Sequence, residues 1–331
     1  MLKSRLTILT DPMAIGQEAI PEVIRRMARR LKYAVLKRSY TSHPRFRGHF
    51  AVTRSLVEGF EKIGVDFNYN PATLSQLADT VIVLAGVRTL RQAIRLKQEG
   101  RIRRLFAGPN IVHFSSDFES ILASPYVDAA IAPCDWVIEH YVADNPSLRD
   151  RIFAWPAGVN ADYWKPDVEV KRDRILIFDK QYNTNDPGRI QPFVDYLQEH
   201  GWSVDVITRR KHLGYTQEHF LKLLQRSCLM VGFAGDSESQ GIAWAEAWAV
   251  DVPTLVMRNT QQTLYGRLLR VSTAPYLAGR NGIFFDNIEQ FKQQFSYWQS
   301  HWQQFSPRQW VLENMSDEVC SQRLYEKIFP C

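Results

Sequence analysis

Short apolar segments alternate with helix-length segments along the whole chain, and this alternation limits the folds that the sequence can adopt. The short segments are apolar on both faces, as strands of a parallel sheet must be when helices cover both of its sides. The longer segments carry apolar residues at spacings of three and four, as in Ala51–Ile63. The pattern predicts an α/β protein with ten strands: Arg5–Thr10, Thr80–Leu84, Arg104–Ala107, Ala129–Ala132, Ile152–Trp155, Ile175–Phe178, Ser203–Thr208, Leu229–Phe233, Thr254–Met257 and Gly282–Phe285.

The pattern occurs twice in series, which indicates two domains. The 331 residues are too many for one ordinary domain and are sufficient for two domains with separate cores. Proline, glycine and a dense run of charge interrupt regular structure between residues 155 and 173. We therefore predict doubly wound, Rossmann-like domains over residues 1–160 and 161–310. Residues 311–331 form a predicted helical tail that could pack back on the N-terminal domain.

The positive charge is concentrated in the N-terminal half. The chain holds 41 lysines and arginines against 35 acidic residues, and residues 1–160 hold 22 against 15. Much of the excess lies in a basic amphipathic segment between Arg25 and Arg38. This segment could face an anionic acceptor or membrane lipid, or it could be a solvated helix face. The basic segment has no aromatic-basic motif, so we do not expect a nucleic-acid partner.

Apolar runs and cysteines bear on the cellular compartment. The apolar run Val81–Val87 is far shorter than the roughly 20 residues that a bilayer span needs. The run Leu6–Leu9 is too short for the apolar region of a signal peptide. We expect a cytoplasmic protein, either free or in peripheral contact with the inner face of the membrane. Four scattered cysteines predict reduced thiols and neither a disulfide framework nor a zinc site: Cys134, Cys228, Cys320 and Cys331.

The segment after the predicted strand Leu229–Phe233 carries the most specific signal. A polar loop is followed by an alanine-rich helix that stops before Pro253. In a doubly wound sheet such a loop lies at the carboxyl edge of the strands, where ligands bind. Free backbone N–H groups of Ser239, Gln240 and Gly241 at the start of the helix would favour a diphosphate. Glycine at position 241 also removes a Cβ that would hold the phosphate away.

Two glutamates flank this helix start. Glu246 lies eight residues after Glu238, about two helical turns further on and on nearly the same side. A carboxylate at position 246 can accept hydrogen bonds from both hydroxyls of a ribose, and Glu238 could reach a sugar beyond the diphosphate. The simpler interpretation is that two glutamates at this spacing lie on a solvated helix face.

The string E-S-x-G-x4-E-A-x-A-x3-P, which Glu238–Pro253 spell, resembles the E-x7-E signature of retaining GT-B glycosyltransferases. The resemblance is to the glycosyltransferase family 4-like group, which includes sucrose and bacterial surface-polysaccharide transferases. Pro156–Pro166 is similar to the linker between the two domains of that family, and Gly48-His49 resembles its N-terminal glycine loop. Ser272–Tyr276 resembles the loop that closes on the diphosphate.

This resemblance implies a fold, a donor and a mechanism. The fold is GT-B, with two Rossmann-like domains that face a central cleft. The donor is a nucleoside diphosphate sugar, UDP- or GDP-linked, and transfer proceeds with retention of configuration. The resemblance implies no cofactor and no required metal. In that family the first glutamate, here Glu238, contacts the transferred sugar, and the second, here Glu246, holds the ribose.

The chain departs from the family at the diphosphate-binding cations. The family carries Gly-Arg after the first strand of its second domain and a lysine shortly afterwards, whereas this chain has Asp179-Lys180 and then Arg189. We place Lys180 in the role of the arginine and Arg189 in that of the lysine, where fixed positive charge stabilises the departing diphosphate.

His113 is predicted near the reacting sugar, although the side chain of a lone histidine more often has only a structural role. The predicted site comprises the catalytic residues Glu238, Lys180 and His113; the donor-binding residues Glu246, Ser239, Gln240, Gly241, Arg189, Ser272, Thr273 and Tyr276; and, on the acceptor or phosphate side, Arg47, Gly48 and His49.

Three functions are compatible with the α/β pattern. The leading hypothesis is transfer of a hexose from a nucleotide sugar to a saccharide, lipid-linked or other acceptor, as in polysaccharide biosynthesis. The missing Gly-Arg pair favours a second hypothesis, a catalytically silent nucleotide-binding or scaffolding subunit of the same fold. A dinucleotide-dependent dehydrogenase is disfavoured because no G-x-G-x-x-G follows any predicted strand.

Overall fold

The computed structural model describes residues 6–10, 48–71, 73–181, 186, 188–210 and 215–330. Arg47 and the basic segment between Arg25 and Arg38 lie outside the described residues. The chain divides into two compact units. Unit 1 comprises the described residues up to Pro156 together with those from Ser321 onward, and unit 2 comprises Ala157–Cys320.

Unit 1 contains a six-stranded, wholly parallel sheet of order β2-β1-β3-β4-β5-β6. Strands β1 and β3 are buried along their whole length, because helices cover both faces of the sheet. The strands are β1 Leu6–Thr10, β2 Phe67–Tyr69, β3 Thr80–Ala85, β4 Arg104–Asn110, β5 Ala129–Ala132 and β6 Ile152–Ala154, and the main helices are α1 Gly48–Lys62, α2 Val87–Gln98 and α3 Asp135–Asp144.

Unit 2 contains a five-stranded parallel sheet of order β13-β10-β9-β7-β8. The strand order reverses between β7 and β9, which are neighbours although β8 separates them in sequence. In doubly wound sheets, ligands bind at the carboxyl edge beside such a reversal. The strands are β7 Arg174–Gln181, β8 Ser203–Arg210, β9 Ser227–Phe233, β10 Thr254–Met257 and β13 Gly282–Phe285, and the helices are α4 Gln191–Glu199, α5 Gln217–Gln225, α6 Ile242–Ala249, α7 Ile288–His301, α8 Pro307–Asn314 and α9 Asp317–Ile328, of which α9 continues into residues grouped with unit 1.

The predicted fold class is confirmed, and every one of the ten predicted strands is present, three with the predicted ends and seven with ends shifted by a few residues. The structure adds the short strand β2 and an antiparallel hairpin formed by β11 Gln261–Leu264 and β12 Arg267–Arg270. The hairpin turns at Tyr265 and Gly266, which have φ values of 48° and 78°. Positive φ at both positions is the geometry of the tight turns that join twisted antiparallel strands.

The helices are short relative to a bilayer. Within the described ranges, no helix is both long enough and apolar enough to cross a membrane. Helix α1 has 15 residues and α7 has 14, whereas a span needs about 20 apolar residues.

Trp244 anchors helix α6 against the sheet of unit 2. Its side chain is 1% exposed, its ring lies 5.5 Å from that of Phe178, and its indole N–H donates to the Thr273 carbonyl at 2.8 Å. A Cβ at Gly232 or at Gly241 would lie 2.6 Å from this ring. Gly241 also has a φ of 63°, a conformation that glycine adopts readily. Helix α6 therefore approaches strand β9 closely because two glycines leave room for one indole.

We expect Gly232→Ala to destabilise unit 2. The added methyl would overlap the buried Trp244 ring, and overpacking of this kind costs about 1–3 kcal/mol. The melting temperature should fall by about 2–4 °C for each kcal/mol in a unit of this size. Gly279→Ala is the matched control, because a Cβ there meets nothing within 4 Å. Equal melting temperatures for the two variants in scanning calorimetry would refute this account of the packing.

Candidate functional site

The loop between β9 and α6 lies at the carboxyl edge of the unit 2 sheet, beside the reversal of strand order. Asp179 of β7 is in register with Phe233, the last residue of β9. Lys180 is the next residue of β7, so it extends beside the start of the loop. The structure therefore brings the predicted diphosphate cation and the predicted donor loop to the same edge of the sheet.

Lys180 and Glu238 form an ion pair between the Nζ and Oε1 atoms. The two side chains are only 17% and 14% exposed, so the pair is largely removed from water. A partly buried charge is costly without its partner, so each residue holds the other in this place. The structure thus joins two of the three predicted catalytic residues, although the contact was not itself predicted.

Arg189 joins the ends of β7 and β9. Its Nε donates to Asp179 Oδ1 at 2.8 Å, and Nη2 donates to the same oxygen. Nη2 also lies 3.2 Å from the Lys180 carbonyl oxygen and 3.3 Å from that of Phe233. Asp179 is 1% exposed, and sequence analysis did not select it because a single acid at a strand end is a weak signal. Arg189 therefore has protein partners, and its contact with a diphosphate stays a prediction.

Three consecutive backbone N–H groups lie directly before helix α6. Among the residues that the structure describes, none accepts a hydrogen bond from the N–H groups of Ser239, Gln240 or Gly241. Helix α6 begins at Ile242, and Gly241 is its left-handed N-cap with no side-chain cap. The amides and the partial positive charge at the start of the helix favour an anion at this point.

The side chain of Gln240 is directed to the start of unit 2. Its Oε1 accepts a hydrogen bond from the Ala157 N–H at 3.1 Å, and its Nε2 is buried with no partner in the described part of the chain. The side chain therefore ties the loop to the linker segment that resembles the family pattern. The predicted donor contact of Gln240 is therefore assigned to its backbone N–H, and its side-chain oxygen belongs to the support of the loop.

Both glutamates of the E-x7-E string are protected from solvent. Glu246 is 2% exposed, and the side chain of Glu238 is 14% exposed. The interpretation of the pair as a solvated helix face is therefore wrong. Tyr163 lies within the electrostatic reach of Glu246: desolvation raises the pKa of this tyrosine most, and the charges of Glu218 and Glu246 raise it further.

Neighbouring segments hold the loop in place. The Glu238 N–H donates to the Ser272 carbonyl at 2.8 Å. The Ser237 hydroxyl donates to Gln262 of the hairpin at 2.6 Å, and Asn259 donates to the Asp236 carbonyl at 2.6 Å. Asn259 and Gln262 were not predicted, because single polar residues in and just before a mostly exposed hairpin carry no recognisable pattern.

The predicted loop Ser272–Tyr276 contributes differently at each position. Thr273 is 2% exposed, and its hydroxyl donates to the Met257 carbonyl at 2.8 Å, so its side chain stabilises the turn. The Ser272 hydroxyl accepts from the Ala274 N–H at 3.1 Å. Tyr276 is half-buried and packs against the core that contains Trp244. These residues support the donor loop, and their contact with a donor stays a prediction.

The remaining predicted residues belong to unit 1. His113 is exposed in the loop after β4, and its backbone N–H donates to Asp117 at 3.1 Å. Gly48 and His49 open helix α1, and the His49 side chain is exposed. The His113 loop continues into Phe118, Glu119 and Ser120, whose φ values of 52°, 57° and 55° are left-handed. Three successive non-glycine residues in this region are strained, and such strain clusters at functional sites.

Comparison with solved structures identifies the fold. A glycosyltransferase from Rickettsia africae ESF-5 matches with a TM-score of 0.53 and 13% identity, over 86% of this chain and 83% of that one. Anabaena Alr3699/HepE in complex with UDP-glucose matches with a TM-score of 0.51 and 12% identity, over 85% and 89% of the two chains. No protein-family model and no curated protein matches the sequence. At these identities the similarity establishes the GT-B type of α/β fold, and function has to be argued from the site.

We expect the Lys180–Glu238 pair to be energetically coupled. In a double-mutant cycle with Lys180→Met and Glu238→Gln, each single variant leaves a partly buried polar group without its partner, so the coupling should be about 1–3 kcal/mol in urea unfolding. The control pair is Lys222–Glu218, with side chains 69% and 72% exposed, for which about 0.3–0.5 kcal/mol is expected. Equal coupling free energies in the two cycles would contradict the prediction that the partly buried Lys180–Glu238 pair contributes more to stability than an exposed pair.

Proposed function

We propose that the protein is a glycosyltransferase that moves a hexose from a nucleoside diphosphate sugar to an acceptor. One observation carries this proposal: a buried glutamate and a lysine–glutamate pair flank an amide-lined helix start at the strand-order reversal of unit 2. Each group matches one part of a nucleotide sugar. The shared fold with glycosyltransferases of known structure supports the same assignment.

The donor would bind along the loop in the order of its chemical groups. The diphosphate would accept hydrogen bonds from the N–H groups of Ser239, Gln240 and Gly241 and would benefit from the dipole of α6. Glu246 would accept from the ribose hydroxyls, and its burial makes such charge-assisted bonds strong. Glu238 would contact the hexose on the other side of the diphosphate.

Lys180 would provide the catalytic charge. As the bond between the anomeric carbon and the diphosphate breaks, negative charge develops on the leaving group, and a fixed cation beside it lowers the barrier. The pairing of Lys180 with Glu238 positions that cation before the donor arrives. From the resemblance, we propose retention of configuration, without a cofactor or a required metal.

The acceptor would be held by unit 1. Gly48, His49 and His113 are the candidates among the described residues, and Arg47 precedes them in sequence. The excess positive charge of the N-terminal half favours an anionic saccharide or lipid-linked acceptor, and it also favours peripheral contact with an anionic membrane surface.

A second candidate function is a catalytically silent subunit of the same fold. The observation that favours it is the engagement of both predicted cations by protein carboxylates: Lys180 pairs with Glu238, and Arg189 pairs with Asp179. If these pairs persist when the donor binds, the leaving diphosphate receives less stabilisation. Such a protein would bind a nucleotide and would not cleave its sugar.

We expect a uridine or guanosine diphosphate to raise the melting temperature of the protein, with ADP as the comparison nucleotide. Saturation at about 100 times Kd adds about 2.7 kcal/mol of stability.

Glu246→Gln should weaken nucleotide binding in calorimetry, because a neutral amide accepts ribose hydroxyls less strongly than a carboxylate does. Glu289→Gln is the control, since the Glu289 side chain is 72% exposed on α7. Unchanged affinity in the folded Glu246→Gln protein would refute the ribose assignment.

Donor cleavage separates the two candidate functions. The wild-type protein should release nucleotide slowly from the donor that the binding screen selects, even without an acceptor, and EDTA should not prevent it. Lys180→Met should lower this rate about a hundredfold, which corresponds to the loss of about 3 kcal/mol of leaving-group stabilisation. Tight donor binding with no nucleotide release would instead support the silent subunit.

A further inference from the structure

Unit 2 contains a cavity of about 460 Å³ at the amino edge of its sheet. Trp202 directly precedes β8, Cys228 is the second residue of β9, and Pro253 directly precedes β10, and all three line the cavity. The proposed donor loop follows the carboxyl end of β9, so it lies at the opposite edge of the same sheet. The volume is within the range of small-molecule sites. The cavity is therefore a second candidate site that is separate from the donor site.

Aromatic rings form much of the cavity wall. Trp202 and Trp298 have ring centroids 5.9 Å apart in a tilted arrangement. Trp302 also lines the cavity and is 61% exposed, although tryptophan is usually buried. The Trp298 side chain is 5% exposed, and its indole N–H is buried with no acceptor in the part of the chain that the structure describes.

Polar groups of both charge signs share the cavity with these rings. The Arg172 guanidinium donates to the carbonyls of Val250 at 2.7 Å and Asp251 at 3.0 Å. No described carboxylate lies within 4.0 Å of it, so the guanidinium bonds only to neutral backbone groups. Desolvation lowers the pKa of Arg172, and the charge of Asp251 opposes that shift. Gln299 and Asp251 complete the polar part of the lining.

We propose that this cavity binds a saccharide. An apolar ligand would remove from water the N–H groups of Arg172 that the two carbonyls do not use. It would also remove the Asp251 carboxylate, which accepts one hydrogen bond, from the Arg308 N–H at 3.2 Å, and leaving such groups without further partners is costly. A simple anion would suit Arg172 but would meet the carboxylate of Asp251. Sugar hydroxyls satisfy both groups, because a hydroxyl accepts from a guanidinium and donates to a carboxylate. The C–H face of a pyranose ring offers apolar surface that can pack on the exposed face of Trp302.

The inference stands independently of the proposed transfer reaction, because it rests on another edge of the sheet. A saccharide bound here would be held away from the donor loop. The site would therefore serve to retain a carbohydrate chain on unit 2, and its occupation does not require Glu238, Glu246 or Lys180.

The test is calorimetric titration of the full chain with glucose, N-acetylglucosamine and cellobiose. Saturating nucleotide from the binding screen is present to occupy the donor site. At least one of the three sugars should bind, and Trp302→Ala should weaken that binding tenfold or more. Because Trp302 is exposed, this variant should fold, as circular dichroism can verify. Tyr297→Ala is the matched control: Tyr297 lies on the preceding helix α7, is 43% exposed and is not part of the cavity lining.

A second pair of variants separates this inference from the proposed function. Arg172→Gln should weaken sugar binding and leave nucleotide affinity unchanged, whereas Glu246→Gln should do the reverse. The proposal is overturned if none of the three sugars binds at millimolar concentration. It is also overturned if Trp302→Ala and Tyr297→Ala bind the sugar with the same affinity, or if Glu246→Gln abolishes sugar binding.

Discussion

The packing of one indole against two glycines is the contact on which the candidate site depends. Trp244 occupies the space that Gly232 and Gly241 leave open, and its N–H bonds the Thr273 carbonyl. This single side chain therefore sets the distance between α6 and β9 and also fixes the turn that supports the Glu238 backbone. A larger residue at either glycine would displace the start of helix α6 and the amides that precede it.

The charges at this edge are arranged in pairs before any ligand binds. Lys180 pairs with Glu238, and Arg189 pairs with the buried Asp179 at the ends of β7 and β9. Pairing offsets part of the cost of removing these charges from water, which allows several ionised groups to occupy a partly buried edge. Arg189 also bonds two strand-end carbonyls and so stabilises the strand-order reversal. Lys180 lies beside the loop, where we propose that it contacts the phosphate of the donor.

Much of the fold could be predicted from the sequence, and the limits of that prediction have physical causes. Buried parallel strands must be apolar on both faces, so all ten produced recognisable runs. Strand β2 has only three residues, two half-buried and one exposed, and the hairpin β11–β12 is mostly exposed, so neither leaves a strong hydrophobic pattern. At the site, the spacing of Glu238 and Glu246 identified the loop and the helix. The burial of Glu246 could not be read from spacing, because a glutamate on a solvated face has the same sequence.

The sequence by itself determined the alternation of strands and helices, the division into two α/β units and the position of the candidate donor loop after β9. These features arise from local periodicity and chain order, which a sequence displays directly. Only the tertiary structure decided that Lys180 meets Glu238, that Arg189 meets Asp179, that the Gln240 side chain turns to Ala157, and that three tryptophans line a cavity at the opposite edge. Those contacts join residues from different elements, and the packing of whole elements, rather than any local pattern, sets which side chains come within bonding distance.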